Sequence, residues 1–172
     1  MIKFLLLFLF IFSAQAQAFE SYNFALIFGT SNLKKSGEEE THGSGLTLRS
    51  ELFLDEDWGV LVSAGSAQTE SDNLVGSNSP EFKYNIIQAE GGAFRYFYDY
   101  FRLAGGLVYL NIDEKHNKLI GSDKFQYNEV GFFTEAGIKY PFGNLVLGLD
   151  YIYQATDKFK QSGIFLLFGL RI

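Results

Sequence analysis

Ionisable side chains recur at alternate positions within segments that are otherwise rich in apolar residues. Alternate residues of a β-strand point to the same side of a sheet, so these groups would share one face. That face would carry four acids and four bases: Arg49, Glu51, Glu90, Arg102, Glu135, Lys139, Asp150 and Arg171. Because an unpaired buried charge is costly, the balanced set predicts a structural network of salt bridges. An ion or proton path and paired catalytic carboxylates are the alternatives.

A second candidate chemistry is nucleophilic catalysis by Ser44 with His42, which are separated by one residue. The spacing resembles the His-x-Ser arrangement of outer-membrane lipid A deacylases. A serine nucleophile needs a base, and that base needs an orienting acid. Residues 38–40 are all Glu, but the later Glu of the deacylases has no clear counterpart. The alternative is an ordinary loop histidine, and we also expect His116 to be a solvated loop residue.

No metal or cofactor is indicated by the residue types that are present. The chain has two His and no Cys, and neither His has a carboxylate at ligand spacing. The missing Cys also excludes disulfides and thiolate nucleophiles.

The elements that position these groups are predicted to be strands, since apolar residues alternate with small or polar ones. The face of Leu145, Leu147 and Leu149 opposes the face of Val146 and Asp150. Eight such segments are predicted, at about 21–30, 44–54, 58–68, 83–97, 100–112, 125–140, 144–156 and 162–172.

The predicted connections alternate in length along the chain. Polar connections of many residues are expected at 31–43, 69–82, 113–124 and 157–161, and short ones at 55–57, 98–99 and 141–143. Up-and-down barrels of outer membranes have short periplasmic turns and longer external loops. The pattern therefore predicts an all-β fold, an eight-stranded antiparallel up-and-down transmembrane β-barrel. A soluble β-sandwich or lipocalin-like barrel is the alternative.

Aromatic residues make up 17% of the chain, with 19 Phe and 10 Tyr, and many lie near the ends of the predicted strands. Outer-membrane barrels carry aromatic girdles at both membrane interfaces. The predicted girdle residues are Trp58, Tyr96, Tyr100, Tyr109, Tyr140 and Tyr153.

The N-terminus has the features of a secretory signal peptide. Lys3 precedes an apolar run of about nine residues, and Ala14-Gln15-Ala16 forms a small-x-small cleavage pattern. We expect cleavage after residue 16 or 18, leaving one domain over 17–172. The formal net charge of −6, which becomes −7 without Lys3, makes nucleic acid an unfavourable partner.

Six segments, in this order and spacing, resemble the Ail/OmpX/Lom family of small outer-membrane proteins. They are WGVLVSAG at 58–65, GGAFRYF at 91–97, FRLAGGLVY at 101–109, GFFTEAGIKYPF at 131–142, NLVLGLDYIY at 144–153 and SGIFLLFGLRI at 162–172. The resemblance implies an eight-stranded barrel without enzymatic activity. In some members the external loops mediate adhesion, invasion or complement resistance.

Two features depart from that family. Its members usually end in an aromatic residue that the insertion machinery recognises, whereas this chain ends in Arg171-Ile172. The predicted loops also lack the clustered basic residues of an adhesive surface.

The functional expectation is a monomeric, non-enzymatic barrel in the outer membrane, with the four longer loops outside the cell. Its expected partners are membrane lipids and lipopolysaccharide, the barrel-assembly machinery during insertion, and host surface molecules. The alternatives are a lipid A-modifying hydrolase that uses His42 and Ser44, and a small-solute pore. The pore is disfavoured because eight strands enclose a lumen that side chains can fill.

Overall fold

The computed structural model describes residues 21–71, 81–117 and 122–172. Every regular element in these residues is a β-strand, and the eight strands form one closed antiparallel barrel in chain order. The strands are β1 Ser21–Lys35, β2 Glu40–Phe53, β3 Trp58–Glu70, β4 Glu81–Phe97, β5 Phe101–Asn117, β6 Ser122–Phe142, β7 Leu145–Ala155 and β8 Phe159–Arg171. The predicted fold class is confirmed.

Pairing between the first and last strands closes the barrel. β1 runs antiparallel to β8, with Phe24 opposite Leu170 and Lys35 opposite Phe159. Closure leaves no free sheet edge, so every strand has a backbone partner on both sides. No helix in the described part of the chain is long and apolar enough to cross a membrane.

Tight turns connect the strands at the end of the barrel that holds both β1 Ser21 and β8 Arg171. The turn between β4 and β5 is made by residues 98–100, where Tyr98 and Asp99 have φ angles of 54° and 63°. The turn between β6 and β7 contains Gly143, whose φ is 60°. This left-handed conformation favours Gly and is tolerated by Asp.

At the opposite end the strands are longer than predicted, and much of the expected loop sequence is paired. In the predicted loop 31–43, β1 continues to Lys35 and β2 begins at Glu40. In 113–124, β5 continues through Asn117 and β6 begins at Ser122. In 157–161, β8 already begins at Phe159. The loop prediction was wrong there because a polar hairpin beyond the membrane keeps its backbone pairing without needing an apolar outward face.

The remaining predicted loop, 69–82, contains the ends of β3 and β4, while residues 72–80 lie outside the described residues. The predicted signal peptide and its cleavage positions also lie outside them.

Apolar side chains form a continuous band around the outside of the barrel. Examples are Phe28, Leu48, Leu107, Leu149 and Leu166, all substantially exposed in the isolated chain. The alternation predicted for β7 and β8 is confirmed, since their odd and even residues respectively face outward. An exposed apolar band of this extent is typical of a surface that faces lipid.

We predict that arginine on this band destabilises the barrel according to its depth. Leu149→Arg, near the middle of β7, should lower the free energy of unfolding by about 2–4 kcal/mol, whereas Leu145→Arg, at the strand end, should cost about 0–1 kcal/mol. Urea titration of the protein folded in phospholipid vesicles measures both values. Equal, small costs at the two positions would contradict a lipid-facing band.

Candidate functional site

Inside the barrel, Arg49 and Glu135 form the centre of a buried ionic network. Arg49 Nη2 lies 2.6 Å from Glu135 Oε2, and Arg49 Nη1 donates to Glu135 Oε1 at 2.8 Å. Arg102 approaches the same carboxylate from β5. Both side chains of the Arg49–Glu135 pair are fully shielded from solvent. These groups come from strands that are distant in sequence. They meet because alternate residues of every strand in a closed barrel point into the same lumen.

Glu51 contacts Arg102 and a third cation, Lys139. Its Oε1 lies 3.0 Å from Arg102 Nη2 and 3.0 Å from Lys139 Nζ. Asn23 donates its side-chain amide to Glu51 Oε2 at 3.3 Å. Arg102 therefore bridges Glu51 and Glu135, and the guanidinium also lies 5.0 Å from the ring centroid of Phe94.

Asp150 and Glu90 complete the network with longer ion-pair distances. Asp150 Oδ2 lies 3.6 Å from both Arg49 Nη1 and Lys139 Nζ. Glu90 Oε2 lies 3.7 Å from Arg49 Nη2, while Gln154 donates to Glu90 Oε1 at 2.6 Å. Glu90 thus has a distant cation, and a neutral side chain, Gln154, supplies its close hydrogen bond.

Arg171 and Tyr96 depart from their predicted places. Arg171 is exposed at the rim, 5.6 Å from the Phe53 ring centroid, and no carboxylate in the described residues pairs with it. Tyr96 is not a girdle residue, because it points into the lumen and packs on Phe53 and Phe94. Tyr96 and Glu90 are an even number of residues apart on β4, so strand alternation alone predicts that both side chains point inward.

The other predicted girdle residues lie on the outer face. Trp58, Tyr100 and Tyr140 are exposed near the tight turns, and the rings of Tyr100 and Tyr140 stack at 5.8 Å. Tyr109 is exposed and Tyr153 half-exposed toward the opposite end. We retain these five as a proposed interfacial girdle.

Toward the long-strand end, apolar and aromatic side chains share the lumen with buried polar ones such as Gln88 and Gln161. Leu110, Ile112, Phe133 and Phe159 are almost fully buried in one cluster that continues toward the long-strand end. The lumen therefore contains both an ionic layer and an apolar layer.

A separate group of charged and aromatic residues lies at the long-strand end. Lys35 Nζ is 2.8 Å from Glu38 Oε1 and 3.0 Å from Glu114 Oε2, and Tyr84 donates to Glu38 at 2.7 Å. His116 also contacts Glu114 and packs on Phe82 with ring centroids 4.5 Å apart. His116 was expected to be solvated, and that was wrong because β5 continues far enough to turn it inward.

Hydrogen bonds and ion pairs at the long-strand end shift the pKa values of Glu114 and Lys35. Burial by itself would raise the pKa of Glu114, but hydrogen bonds from His116 and Lys35 hold it below the ordinary value. Burial would likewise lower the pKa of Lys35, but hydrogen bonds to Glu38 and Glu114 raise it. Both groups are therefore charged at neutral pH.

Strand pairing also brings together lysines that are scattered in sequence. Lys83 is directly opposite Lys115, and Lys115 is directly opposite Lys124, so three neighbouring strands carry one outward row of lysines. Lys34 and Lys160 form a second outward pair across β1 and β8. The absence of clustered basic residues, inferred from the sequence, was wrong because the cluster exists only across strands.

The two lysine groups are only partly neutralised. Lys83 Nζ lies 3.0 Å from Glu70 Oε1. For Lys115 and Lys124, the described residues include no ion-pair partner. Like charges directly opposite one another destabilise a sheet. The row of neighbouring lysines is therefore a candidate anion-binding surface, because a bound anion would offset their repulsion. We call it the lysine row (Lys83, Lys115 and Lys124).

His42 and Ser44 both face outward on β2 and are exposed. His42 Nδ1 lies 3.0 Å from Asn32 Oδ1. The Asn32 side-chain amide thus contacts the ring nitrogen that an orienting carboxylate contacts in a catalytic triad. This geometry does not favour the hydrolase alternative. In the described ranges, no group of three or more His, Asp or Glu could hold a metal ion.

The outer membrane protein beta-barrel domain family model matches residues 4–170. The chain belongs to this family. It is therefore an outer-membrane β-barrel, in agreement with the resemblance found in the sequence. No match was found among curated protein sequences.

Solved structures of small outer-membrane barrels share the fold. Ail, the attachment invasion locus protein of Yersinia pestis, is 21% identical with a TM-score of 0.63, and the match covers 88% of this chain and 98% of Ail. Ail has also been solved with the heparin analogue sucrose octasulfate, at 19% identity, a TM-score of 0.61, and coverage of 88% and 98%. Neisserial surface protein A is 11% identical, with a TM-score of 0.58 and coverage of 87% and 96%.

We predict that Glu135→Ala destabilises the barrel by about 3–5 kcal/mol, because it leaves buried arginines without their shared carboxylate. Glu56→Ala, on an exposed turn, should change the free energy of unfolding by less than about 0.5 kcal/mol. Urea unfolding in detergent micelles compares the two variants. An unchanged unfolding midpoint for Glu135→Ala would show that the network is not structural.

We also predict that Glu114 stabilises the long-strand end only while it is ionised. Its lowered pKa means that its contribution is present above the ordinary value of 4.5 and is lost as pH falls through the folded-state value. The difference in unfolding midpoint between wild type and Glu114→Gln should be larger at pH 7 than at pH 3. Glu39→Gln, in the exposed β1–β2 turn at the same end of the barrel, is the control. A pH-independent difference for Glu114→Gln would refute the assignment.

Proposed function

We propose that this protein is a non-enzymatic barrel whose long-strand end binds polyanionic glycans at the cell surface. The lysine row carries the proposal, because three cations on adjacent strands face outward beyond the apolar band. An anion with several phosphate or sulfate groups would relieve their mutual repulsion. Lys34 and Lys160 provide a second contact of the same kind on the far side of the barrel.

The barrel supports such a surface with a rigid base. The lysine row lies on paired strands rather than on free loops, so the sheet sets the spacing of the backbone positions that carry the ammonium groups. Directly opposite residues have Cα atoms about 4.5–5.5 Å apart. Because the backbone is already ordered, binding a ligand here costs side-chain entropy but little backbone entropy.

The orientation of the barrel follows from its turns. Barrels of this architecture place short turns in the periplasm and longer external connections outside. With this orientation, the lysine row and the connections predicted at 31–43, 69–82, 113–124 and 157–161 face the exterior. The structure of Ail with sucrose octasulfate supports a polyanion as the ligand class, although that ligand belongs to Ail.

Two sources could supply the ligand: phosphorylated lipid A within the same membrane, or a sulfated glycan on another cell. Both present clustered anionic groups near the long-strand end. In either role the protein would contribute to surface interaction or to the integrity of the envelope.

We predict that Lys115→Gln combined with Lys124→Gln weakens binding of sucrose octasulfate, and of vesicles containing lipid A, by roughly tenfold or more. A lysine near an anionic surface contributes about 1 kcal/mol, and the contribution falls with added salt. Calorimetry with sucrose octasulfate and vesicle flotation with lipid A measure the two losses separately, so they also distinguish the two ligand sources.

The matched control is Lys158→Gln combined with Arg171→Gln, which makes the same change in net charge away from the row. Lys158 pairs with Glu129 at 2.9 Å, and Arg171 lies at the opposite end of the barrel. Equal losses in the two double variants would reduce the effect to net charge and contradict a specific site. The proposal would also be wrong if the wild-type protein bound neither sucrose octasulfate nor vesicles containing lipid A.

A further inference from the structure

The outer surface of the barrel has a recess near the short-turn end, between β3, β4 and β5. Its volume is about 640 Å³. Outward-facing residues line it: Trp58 on β3, Ala93 and Arg95 on β4, and Leu103 and Gly105 on β5. Ala93 and Gly105 have little or no side chain, which leaves the outer surface low between Trp58 and Leu103.

Two outward-facing glycines extend the recess toward the middle of the membrane. A Cβ atom added to Gly91 would meet no atom within 4 Å, and one added to Gly105 would meet only the Phe133 carbonyl oxygen, at 3.4 Å. By contrast, a Cβ atom on the inward-facing Gly92 would lie 2.3 Å from the Gly105 carbonyl oxygen. Packing within the protein therefore requires a glycine at 92 and not at 91. From Arg95 to Gly91 the strand extends by about 13 Å, which at a strand tilt of about 40° is a depth of about 10 Å, or two thirds of one hydrocarbon leaflet.

Arg95 gives the recess a charge at its membrane-surface end. Its Cα atom is directly opposite Trp58 and Leu103, so the guanidinium projects outward among interfacial residues. Among the described residues it is the one cation on the outer face at this end. It pairs with no described carboxylate, and the nearby Asp55 carboxylate instead accepts the Glu56 backbone N–H at 2.7 Å.

We propose that the recess binds one anionic phospholipid of the periplasmic leaflet. The lipid phosphate contacts the Arg95 guanidinium at the membrane surface, and one acyl chain lies over Ala93, Gly91 and Gly105. A positive charge at headgroup depth above a narrow apolar groove fits this ligand. The membrane also supplies the ligand at high local concentration. The site is at the opposite end of the barrel from the lysine row, so the two proposals are independent.

The single tryptophan of the chain permits a direct test. Trp58 lines the recess, and brominated acyl chains quench tryptophan fluorescence on contact. The protein is folded into vesicles of phosphatidylcholine that contain increasing fractions of brominated phosphatidylglycerol or brominated phosphatidylcholine. The quenching curves give the affinity of each lipid at Trp58. We expect phosphatidylglycerol to bind about fivefold more tightly than phosphatidylcholine, because one basic residue near an anionic headgroup favours binding by about that factor.

Variants separate the headgroup contact from the acyl-chain contact. Arg95→Gln should abolish the preference for phosphatidylglycerol, whereas Arg171→Gln, at the same end but over the lumen, should leave it unchanged. Gly91→Leu with Gly105→Leu should fill the groove and lower quenching by both lipids at unchanged or higher barrel stability. Ala155→Leu, an outward substitution on β7, is the control for added bulk.

Equal affinity of the two lipids in wild type would contradict the proposal, as would a preference that survives Arg95→Gln. If wild-type Trp58 is protected from every brominated lipid and the protein migrates as a dimer, a second copy of the chain covers the recess and the lipid assignment is wrong.

Discussion

The network around Arg49 and Glu135 is the interaction on which the rest of the structure depends. Eight strands close around a lumen too narrow to remain water-filled, so each charge that faces inward must find an opposite charge there. Glu51, Arg102 and Lys139 meet this requirement through contacts of 3.0 Å that join β2, β5 and β6. Closure creates the network, and the network holds distant strands in one register.

A filled lumen confines function to the outside and the two ends of the barrel. The apolar band is occupied by lipid. The long-strand end carries cations in a fixed row, and the short-turn end carries the recess at Arg95. These two surfaces differ in the same way as the two leaflets of an outer membrane, with polyanionic glycolipid outside and phospholipid inside. We therefore propose that one rigid scaffold presents two different anion-binding surfaces.

Period-two alternation predicted the eight strands and the sidedness of Leu149 and Asp150, because alternation follows directly from strand geometry. Two kinds of feature were not predictable in the same way. The strand extensions at Lys35 and Asn117 have the polar composition of loops, and only their pairing distinguishes them. The lysine row depends on cross-strand register, which places Lys83, Lys115 and Lys124 side by side although 41 positions separate the first from the last. The inward orientation of Tyr96 was available from alternation but was obscured by its aromatic neighbours.

Side chains close the lumen, and we therefore infer that the protein acts through its outer surfaces. Measuring the conductance of the purified barrel in a planar lipid bilayer tests whether the lumen is closed. A closed lumen predicts insertion without stable conductance steps, at neutral pH and at high salt. Reproducible, long-lived steps would show a continuous aqueous path past Arg49 and Glu135, and the pore interpretation would then replace the present one.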